Sequence, residues 1–369
     1  MRLKDIAKES KSTYKGDKTD LPIVGLEHLV PGELTLTEYD INTENTFTKF
    51  FRKGQVLFGR RRAYLKKASL AKFDGVCSGD IIVIEPIDGR VYPDLLPFII
   101  QNDRFFAYAV SKSAGGLSPR VKWQDIADYE FYLPPLSEQK VLADKLWAAY
   151  RLKESYKKLL LATRDMVKSQ FIEMFGNQDV NDRSWNESIV KDEFTLTMGK
   201  TPARNNPAFW QSGTNKWISI SDMARYGRYT EDTQESITDI AVAESGIKIV
   251  PKGTIIMSFK LSIGRTAVTS EDIYTNEAIM AFRDVDETKF NMTFLQFLIA
   301  NKNWLLNSKQ AVKGQTLNKE SIGNAKIIVP PIGLQKQFAA IYNQADKSEF
   351  ELKKSIEAID AVIKSLINN

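Results

Sequence analysis

The chain has 369 residues, 43% of them hydrophobic and 11% aromatic, and its 51 Lys+Arg against 46 Asp+Glu leave a formal charge of +5. This is a globular composition long enough for two to three domains, which excludes disorder. One cysteine, Cys77, and one histidine, His28, exclude a disulfide framework and a Cys/His zinc cage; no apolar run reaches about 18 residues and the start MRLKDIAKESK has no apolar core, so a soluble cytoplasmic protein without signal peptide or membrane span is expected.

From the N-terminus, Pro22-Ile23-Val24-Gly25-Leu26 is the first strand-like run. Lys53-Gly54 reads as a turn feeding the buried strand Gln55-Val56-Leu57-Phe58. Arg60-Arg61-Arg62-Ala63-Tyr64-Leu65-Lys66-Lys67 then carries five positive charges and no acid, as a loop or strand edge. Leu95–Asn102 predicts a short helix, and Lys112–Lys122 mixes cations with glycines and hydroxyls. Phe131-Tyr132-Leu133 predicts an apolar strand stopped by Pro134-Pro135. The period then becomes helical, with Ser137 as N-cap and Glu138 as first-turn acid. Leu142, Leu146, Ala149, Tyr156, Leu160, Thr163 and Val167 share one face, interrupted by Lys153 and Gln170, until Gly176 stops the helix.

The same series then recurs in order. Lys216-Trp217-Ile218-Ser219-Ile220 answers the first strand, Lys252-Gly253-Thr254-Ile255-Ile256-Met257 the glycine turn and buried strand, and Phe294–Asn301 the short helix. Ser258–Arg265 and Lys309–Lys319 answer the two basic clusters, and Ile327-Ile328-Val329-Pro330-Pro331 the strand with its proline pair. The last stretch has a 4-3-4-3 seam, Leu352-Ile356-Ile359-Ile363-Leu366, the spacing of a coiled coil. The expected fold is therefore α+β: two similar mixed α/β recognition domains (residues 1–135 and 177–332), separated by two long antiparallel helices (136–176 and 333–369) that arose with them by internal duplication. Each helix is about 55 Å long at about 1.5 Å per residue, a stiff rod holding two readers apart.

Charge is spread evenly: 20 basic against 18 acidic residues in 1–135, 18 against 18 in 177–332, and only the central helix, 8 against 5, is clearly basic. Binding to a polyanion must then rest on local clusters. The candidates are Arg60, Arg61, Arg62 and Tyr64; Lys112, Ser113, Arg120 and Lys122; the polar loop of Lys200, Thr201 and Arg204; Lys260 and Arg265; and Lys313, Gln315 and Thr316. Lysine and arginine neutralise phosphates, while hydroxyls, amides and selected arginines hydrogen-bond base edges, which points to double-stranded DNA. Because clusters recur at matched positions with different residues, one scaffold presents two different loop sets.

No catalytic apparatus emerges. Pro93-Asp94 with Glu138-Gln139-Lys140 imitates a nuclease signature, but the second part opens a helix, and Leu133-Pro134-Pro135-Leu136 resembles an amino-methyltransferase motif without its amide. Walker A and G-x-G-x-x-G segments are absent, a Cys77–His28 dyad is disfavoured, and Trp210 and Trp217 read as core or loop anchors.

Taken together, the Gly199-Lys200-Thr201-Pro202 loop, Trp217-Ile218-Ser219-Ile220-Ser221-Asp222-Met223, the Leu133-Pro134-Pro135-Leu136-Ser137-Glu138-Gln139 junction and Lys168-Ser169-Gln170-Phe171-Ile172-Glu173-Met174-Phe175-Gly176 give the chain its resemblance. It resembles the specificity subunits of type I restriction–modification enzymes over essentially its whole length. The resemblance implies two target recognition domains, each reading half of an asymmetric bipartite site, with helices that set the unread spacer and dock two methyltransferase subunits. It implies no catalytic residue, metal or cofactor in this chain: S-adenosylmethionine, ATP and Mg belong to the methyltransferase and restriction (translocase/nuclease) subunits, and no membrane is involved. Two departures stand out. The first half has Ser10-Lys11-Ser12-Thr13-Tyr14-Lys15-Gly16 where a Gly-Lys-Thr-Pro loop is expected, and the second junction, Pro330-Pro331-Ile332-Gly333-Leu334-Gln335, lacks the acid. The competing readings are a duplicated protein-interaction scaffold and a self-contained nuclease or methyltransferase.

Overall fold

The computed structural model describes residues 1–260, 262–306, 310–311, 314–315 and 317–368. Its contacts form two units, Met1–Leu159 with Leu352–Asn369, and Leu160–Glu351. Each unit holds one copy of the repeat together with a segment of both long helices.

In the first unit the strand Val56–Gly59 lies between Ile81–Pro86 and Ala68–Leu70, with Ala7–Glu9 beyond Ile81–Pro86, all antiparallel. Side chains alternate across this sheet. Val56, Phe58, Ile82 and Ile84 pack on one side with Ile99, Phe105 and Phe106, whereas Leu57, Ile81 and Val83 pack on the other with Val24, Phe51 and Cys77. Burial of both faces is why these strands read as continuous apolar runs rather than as an apolar–polar alternation. The second unit repeats the design: Ile255–Ser258 lies between Ile279–Arg283 and Thr266–Val268, with Thr195–Met198 outermost. Ile255, Met257, Met280 and Phe282 take one face and Ile256, Ile279 and Ala281 the other.

Each unit also has a three-stranded sheet, and here the match is subtler. Ile23–Val24 runs parallel to Gly75–Cys77 as Asn215–Ile218 runs parallel to Tyr274–Thr275. The third strand, however, joins opposite edges: Lys49–Phe51 pairs with Gly75–Cys77, while Glu235–Ile237 pairs with Asn215–Ile218. Single bridges fill the complementary positions, Ile23 with Asp40 in the first unit and Val250 with Ile273 in the second. Both units thus share one four-ribbon plan, and each has a different outer ribbon reduced to one pair.

The long helices are Leu136–Phe175 and Ile332–Asn368. Gly176, at φ +72°, ends the first in the left-handed conformation glycine favours. The first starts at Leu136, so Ser137 lies inside it and is not the N-cap, and Glu138 N–H donates to the Pro135 carbonyl (2.9 Å); the second starts at Ile332, one residue before the expected 333. Within the first unit Leu142 shares a cleft with Leu366 and Ile367, and Lys153 Nζ lies 2.6 Å from Asp360. Within the second, Arg164 Nε is 3.0 Å from Glu349 and the Phe171 ring is 5.3 Å from that of Phe338. In both units, advance along one helix meets retreat along the other, so the helices pack antiparallel. Lys153 does not interrupt the seam as the sequence suggested; its side chain, 13% exposed, lies on it and is answered by Asp360.

One expected strand does not form. Phe131–Leu133 forms no strand: beside the neighbouring Arg2–Glu130 bridge, only Phe131 is held, its N–H donating to the Met1 carbonyl (3.1 Å) and its carbonyl accepting from the Met1 amino group (3.2 Å). The run facing it turns into the helix Leu3–Ile6 at once, leaving no extended partner. In the second unit Glu187–Ile189 is extended, and there Lys326–Ile328 pairs with it fully. Among the described residues no helix is long and apolar enough to cross a membrane.

Candidate nucleic-acid interface

The first unit brings its two basic clusters, some fifty residues apart in sequence, onto one surface. Leaving the central strand, Arg60 is bonded through its N–H to the Asp80 carbonyl (2.9 Å), and its carbonyl receives the N–H of Val121 (3.0 Å). Arg61 bridges Arg120, and Arg62, left-handed at φ +53°, donates its N–H to the Pro119 carbonyl (2.8 Å). Ala114 and Arg120 exchange two backbone bonds of 2.9 Å that close the glycine-containing loop between them; Gly115 at φ +117° makes the turn. Arg61 Nε donates to Ser118 Oγ at 2.6 Å.

Charge at this junction is managed by Asp80. Its carboxylate takes Arg120 through Nε (2.8 Å) and an outer nitrogen (3.3 Å), with Arg61 at 3.6 Å. The bond from Arg120, then the positive charges of Arg120, Arg61 and Arg60, hold the Asp80 carboxyl below the usual carboxylate range despite burial. Arg60 Nε is also occupied, by the Val121 carbonyl (3.1 Å), and Ser113 Oγ donates back to the Ala109 carbonyl (2.9 Å). Arg62, Tyr64, Lys112 and Lys122 have exposed side chains, Lys112 standing 5.4 Å from the Tyr108 ring. The cluster therefore divides into arginines that fix the loops and cations that face solvent.

In the second unit the loop of Lys200, Thr201 and Arg204 is held at every candidate residue. Lys200 Nζ donates to the Ser245 carbonyl, Thr201 Oγ1 donates to Glu277 and accepts from Asn276 Nδ2 (3.0 Å), and Arg204 forks onto Glu235. The Arg204 guanidinium also lies over Trp210 (3.9 Å) and Trp217 (4.9 Å). Both indoles reach back into the loop, Trp217 Nε1 to the Lys200 carbonyl (3.0 Å) and Trp210 Nε1 to the Ala203 carbonyl (3.1 Å), so they are anchors. Gly199 is required by close approach: a Cβ there would stand 2.0 Å from the Thr275 carbonyl oxygen. Lys260 and Arg265 are exposed on the next turn, Arg265 donating to the Ala224 carbonyl (3.1 Å). Among the described residues no hydrogen bond or ion pair joins this turn to the Lys200 loop. Lys313 and Thr316 lie outside the described residues, and Gln315 enters only through its backbone pairing with Gln310.

The sequence reading missed Asp80, which no local pattern marks, and a pair of glutamines that a pattern does mark. Gln139 and Gln335 each follow a proline pair at the same spacing and are buried. Gln139 accepts from Tyr92 N–H (2.8 Å) and donates to the Pro134 carbonyl (2.9 Å); Gln335 accepts from Asn291 N–H (2.9 Å) and donates to the Lys289 (2.8 Å) and Pro330 (2.7 Å) carbonyls. These amides fasten each long helix to its unit, so the missing acid of the second junction is not the residue that matters there. The nuclease imitation separates: Asp94 sits in the turn Pro93–Leu95 and Glu138 in the first turn of the helix. Burial pushes the Cys77 thiol up to about 12, and His28 Nδ1 accepts from Gly25 N–H (2.9 Å). Among the described residues there is no cluster of metal-ligating side chains.

A family model described as the type I restriction modification DNA specificity domain matches residues 1–161 and again 182–360. Among curated proteins, the type I restriction enzyme MjaIX specificity subunit of Methanocaldococcus jannaschii is 26% identical over 211 residues, 55% of this chain and 48% of that protein. The HindI specificity subunit of Haemophilus influenzae is 24% identical over 194 residues, 50% of this chain and 41% of that protein. The chain thus spans about half or less of the length of these curated relatives. A solved type I S subunit from M. genitalium, 12% identical, superposes with a TM-score of 0.58 over 100% of this chain and 94% of that one, a likeness of fold.

Proposed function

The chain belongs to the type I restriction modification DNA specificity family, and from that premise we propose that it is the non-catalytic, DNA-reading subunit of a type I restriction–modification complex in the cytoplasm. Each recognition domain, residues 1–135 and 177–332, reads one half of an asymmetric bipartite site in double-stranded DNA. The helices of 136–176 and 333–369 set the unread spacer and dock two methyltransferase subunits. Those partners bring S-adenosylmethionine, and restriction subunits bring ATP, Mg, translocation and cleavage.

The observation that supports this reading best is the convergence of the Arg60–Arg62 and Lys112–Lys122 segments onto one surface, on a framework that recurs in the second unit with different loops. Arg62, Lys112 and Lys122 suit phosphates; Tyr64 and the second unit's Lys260 and Arg265 suit base edges or adjacent phosphates. Arg61, Arg120, Lys200, Thr201 and Arg204 shape the loops that present them. Lys313, Gln315 and Thr316 complete the second set by correspondence with the first. Co-expression with a type I methyltransferase subunit, followed by genome-wide mapping of methyladenine, tests the proposal. A bipartite motif with a fixed gap is expected; a continuous motif, or none with a competent partner, overturns it.

A further inference from the structure

Among the described large hydrophobic residues Leu117 is the most exposed, at 97%, well beyond the next, Tyr132 at 73%. A lone exposed leucine is ordinary on a protein surface. This one is unusual in how it is held. It follows Gly115 and Gly116 in a loop closed by the paired Ala114–Arg120 bonds, and the residues just after it are tied down in turn. Ser118 receives Arg61 Nε, Pro119 receives the Arg62 N–H, and Arg120 is bound to Asp80. The backbone around the leucine is ordered before any partner arrives, so docking it costs little further loop entropy. Around it in sequence and in bonding stand Arg61, Arg62 and Arg120, and among the described residues Asp80 is the one carboxylate ion-paired with these arginines.

An apolar tip on a loop bonded to three arginines, with Asp80 pairing two of them and Arg62 left exposed, matches one feature of duplex DNA. Cations settle on phosphates, and the apolar group displayed on base edges in the major groove is the thymine C5-methyl. We infer that Leu117 is a specificity-determining residue of the first recognition domain, contacting a thymine methyl in its half-site. The inference rests on the DNA-reading proposal above and adds the chemistry of one base contact.

The test uses the chain in complex with its methyltransferase partner and duplexes carrying the mapped site. Each thymine is replaced in turn by deoxyuridine, which removes only the methyl group. For the unaltered complex, binding is expected to fall about fourfold at one position in one half-site, the effect of a single buried methyl-sized group. In Leu117→Ala that sensitivity disappears, while Leu117→Met, still apolar and long, retains it. Because Leu117 is exposed, the alanine variant keeps its melting temperature, which separates this result from misfolding. If the unaltered complex binds selectively but no deoxyuridine position matters, or if Leu117→Ala weakens thymine and deoxyuridine duplexes equally, the inference is wrong. The latter result would mean a wedge between bases rather than a methyl contact. If the unaltered complex shows no sequence selectivity at all, the parent proposal fails with it.

Discussion

The two units share the four-stranded sheet and the ribbon plan of the smaller one but secure their long helices and loops by different chemistry. In the first unit the loop carrying Glu33 reaches the central helix through Lys157 (2.6 Å), both side chains 30% exposed, and Gln101 Nε2 holds the Glu33 carbonyl (2.9 Å). In the second, Arg228, only 6% exposed, bonds Gln296, Thr293 and Asn343, lies 3.8 Å from Asp346 and stacks 4.7 Å from the Tyr342 ring; Gln296 holds its carbonyl (2.7 Å). The loop between the outer strand and the rest also diverges. Ser10 opens it in the first unit, beside an open cleft of about 580 Å³ lined by Lys11, Ser12, Thr13 and Thr48, while Gly199 and two tryptophans pin it in the second. The lesson is that the sheet and the glutamine junction are the shared scaffold, and everything attached to its rim is free to vary.

The comparison predicts unequal responses to substitution. Arg228→Ala removes a buried guanidinium and strands its part-buried acceptors on Gln296 and Thr293, and is expected to destabilise the second unit by about 3 kcal/mol, whereas Lys157→Ala, at a half-open pair, is expected to cost about 1 kcal/mol or less. Differential scanning calorimetry checks this, and equal losses would erase the distinction drawn between the units. Gln335→Ala and Gln139→Ala each remove a buried amide and are expected to cost about 1–3 kcal/mol, with Gln335 the larger because it makes three bonds rather than two. The reverse order would contradict the role assigned to these junctions.

Asp80→Asn has a smaller effect on folding and a larger one on DNA. It releases Arg61 and Arg120, so non-specific binding should tighten and the slope of log K against log salt should steepen by about 0.9 for each phosphate newly neutralised. Arg62→Ala should do the opposite, flattening that slope by about one unit without changing which sequence is preferred. Salt titrations with random duplexes measure both. The pH dependence follows in sign. Since the Asp80 carboxyl lies below its ordinary value in the folded chain, its contribution is fully present above about pH 3.9 and is lost as pH falls through the lower folded value. Asp80→Asn should therefore flatten the acid limb of stability, by about 1 kcal/mol or less given the half-exposed Arg120.

Much of this was readable from residues alone. The duplication, the buried central strands Val56–Gly59 and Ile255–Ser258, and both long helices follow from apolar periodicity and from glycine and proline placement, which are local signals. What escaped depended on partners distant in sequence. Phe131–Leu133 has strand composition but no extended neighbour, and Lys153 broke the apolar pattern of its helix because its partner, Asp360, is 207 residues away. The candidate basic residues were visible as charge, but their division into loop-fixing arginines and solvent-facing cations depends on Asp80, whose role appears only when Arg60–Arg62 and Arg120 meet it. Gln139 and Gln335 were the recoverable omission, since their matched spacing after two proline pairs was already in the sequence.

The central claim is that two copies of one scaffold read two different half-sites, and the most direct measurement of it is the methyladenine motif of a loop variant. The residues 112–122 segment is altered in the complex with a methyltransferase partner, by Lys112→Ala, Leu117→Ala and Lys122→Ala together, and the methylome is compared with that of the unaltered chain. One half of the motif should lose definition while the other half and the gap stay fixed. Loss of definition in both halves, or a change in the gap, would contradict the account.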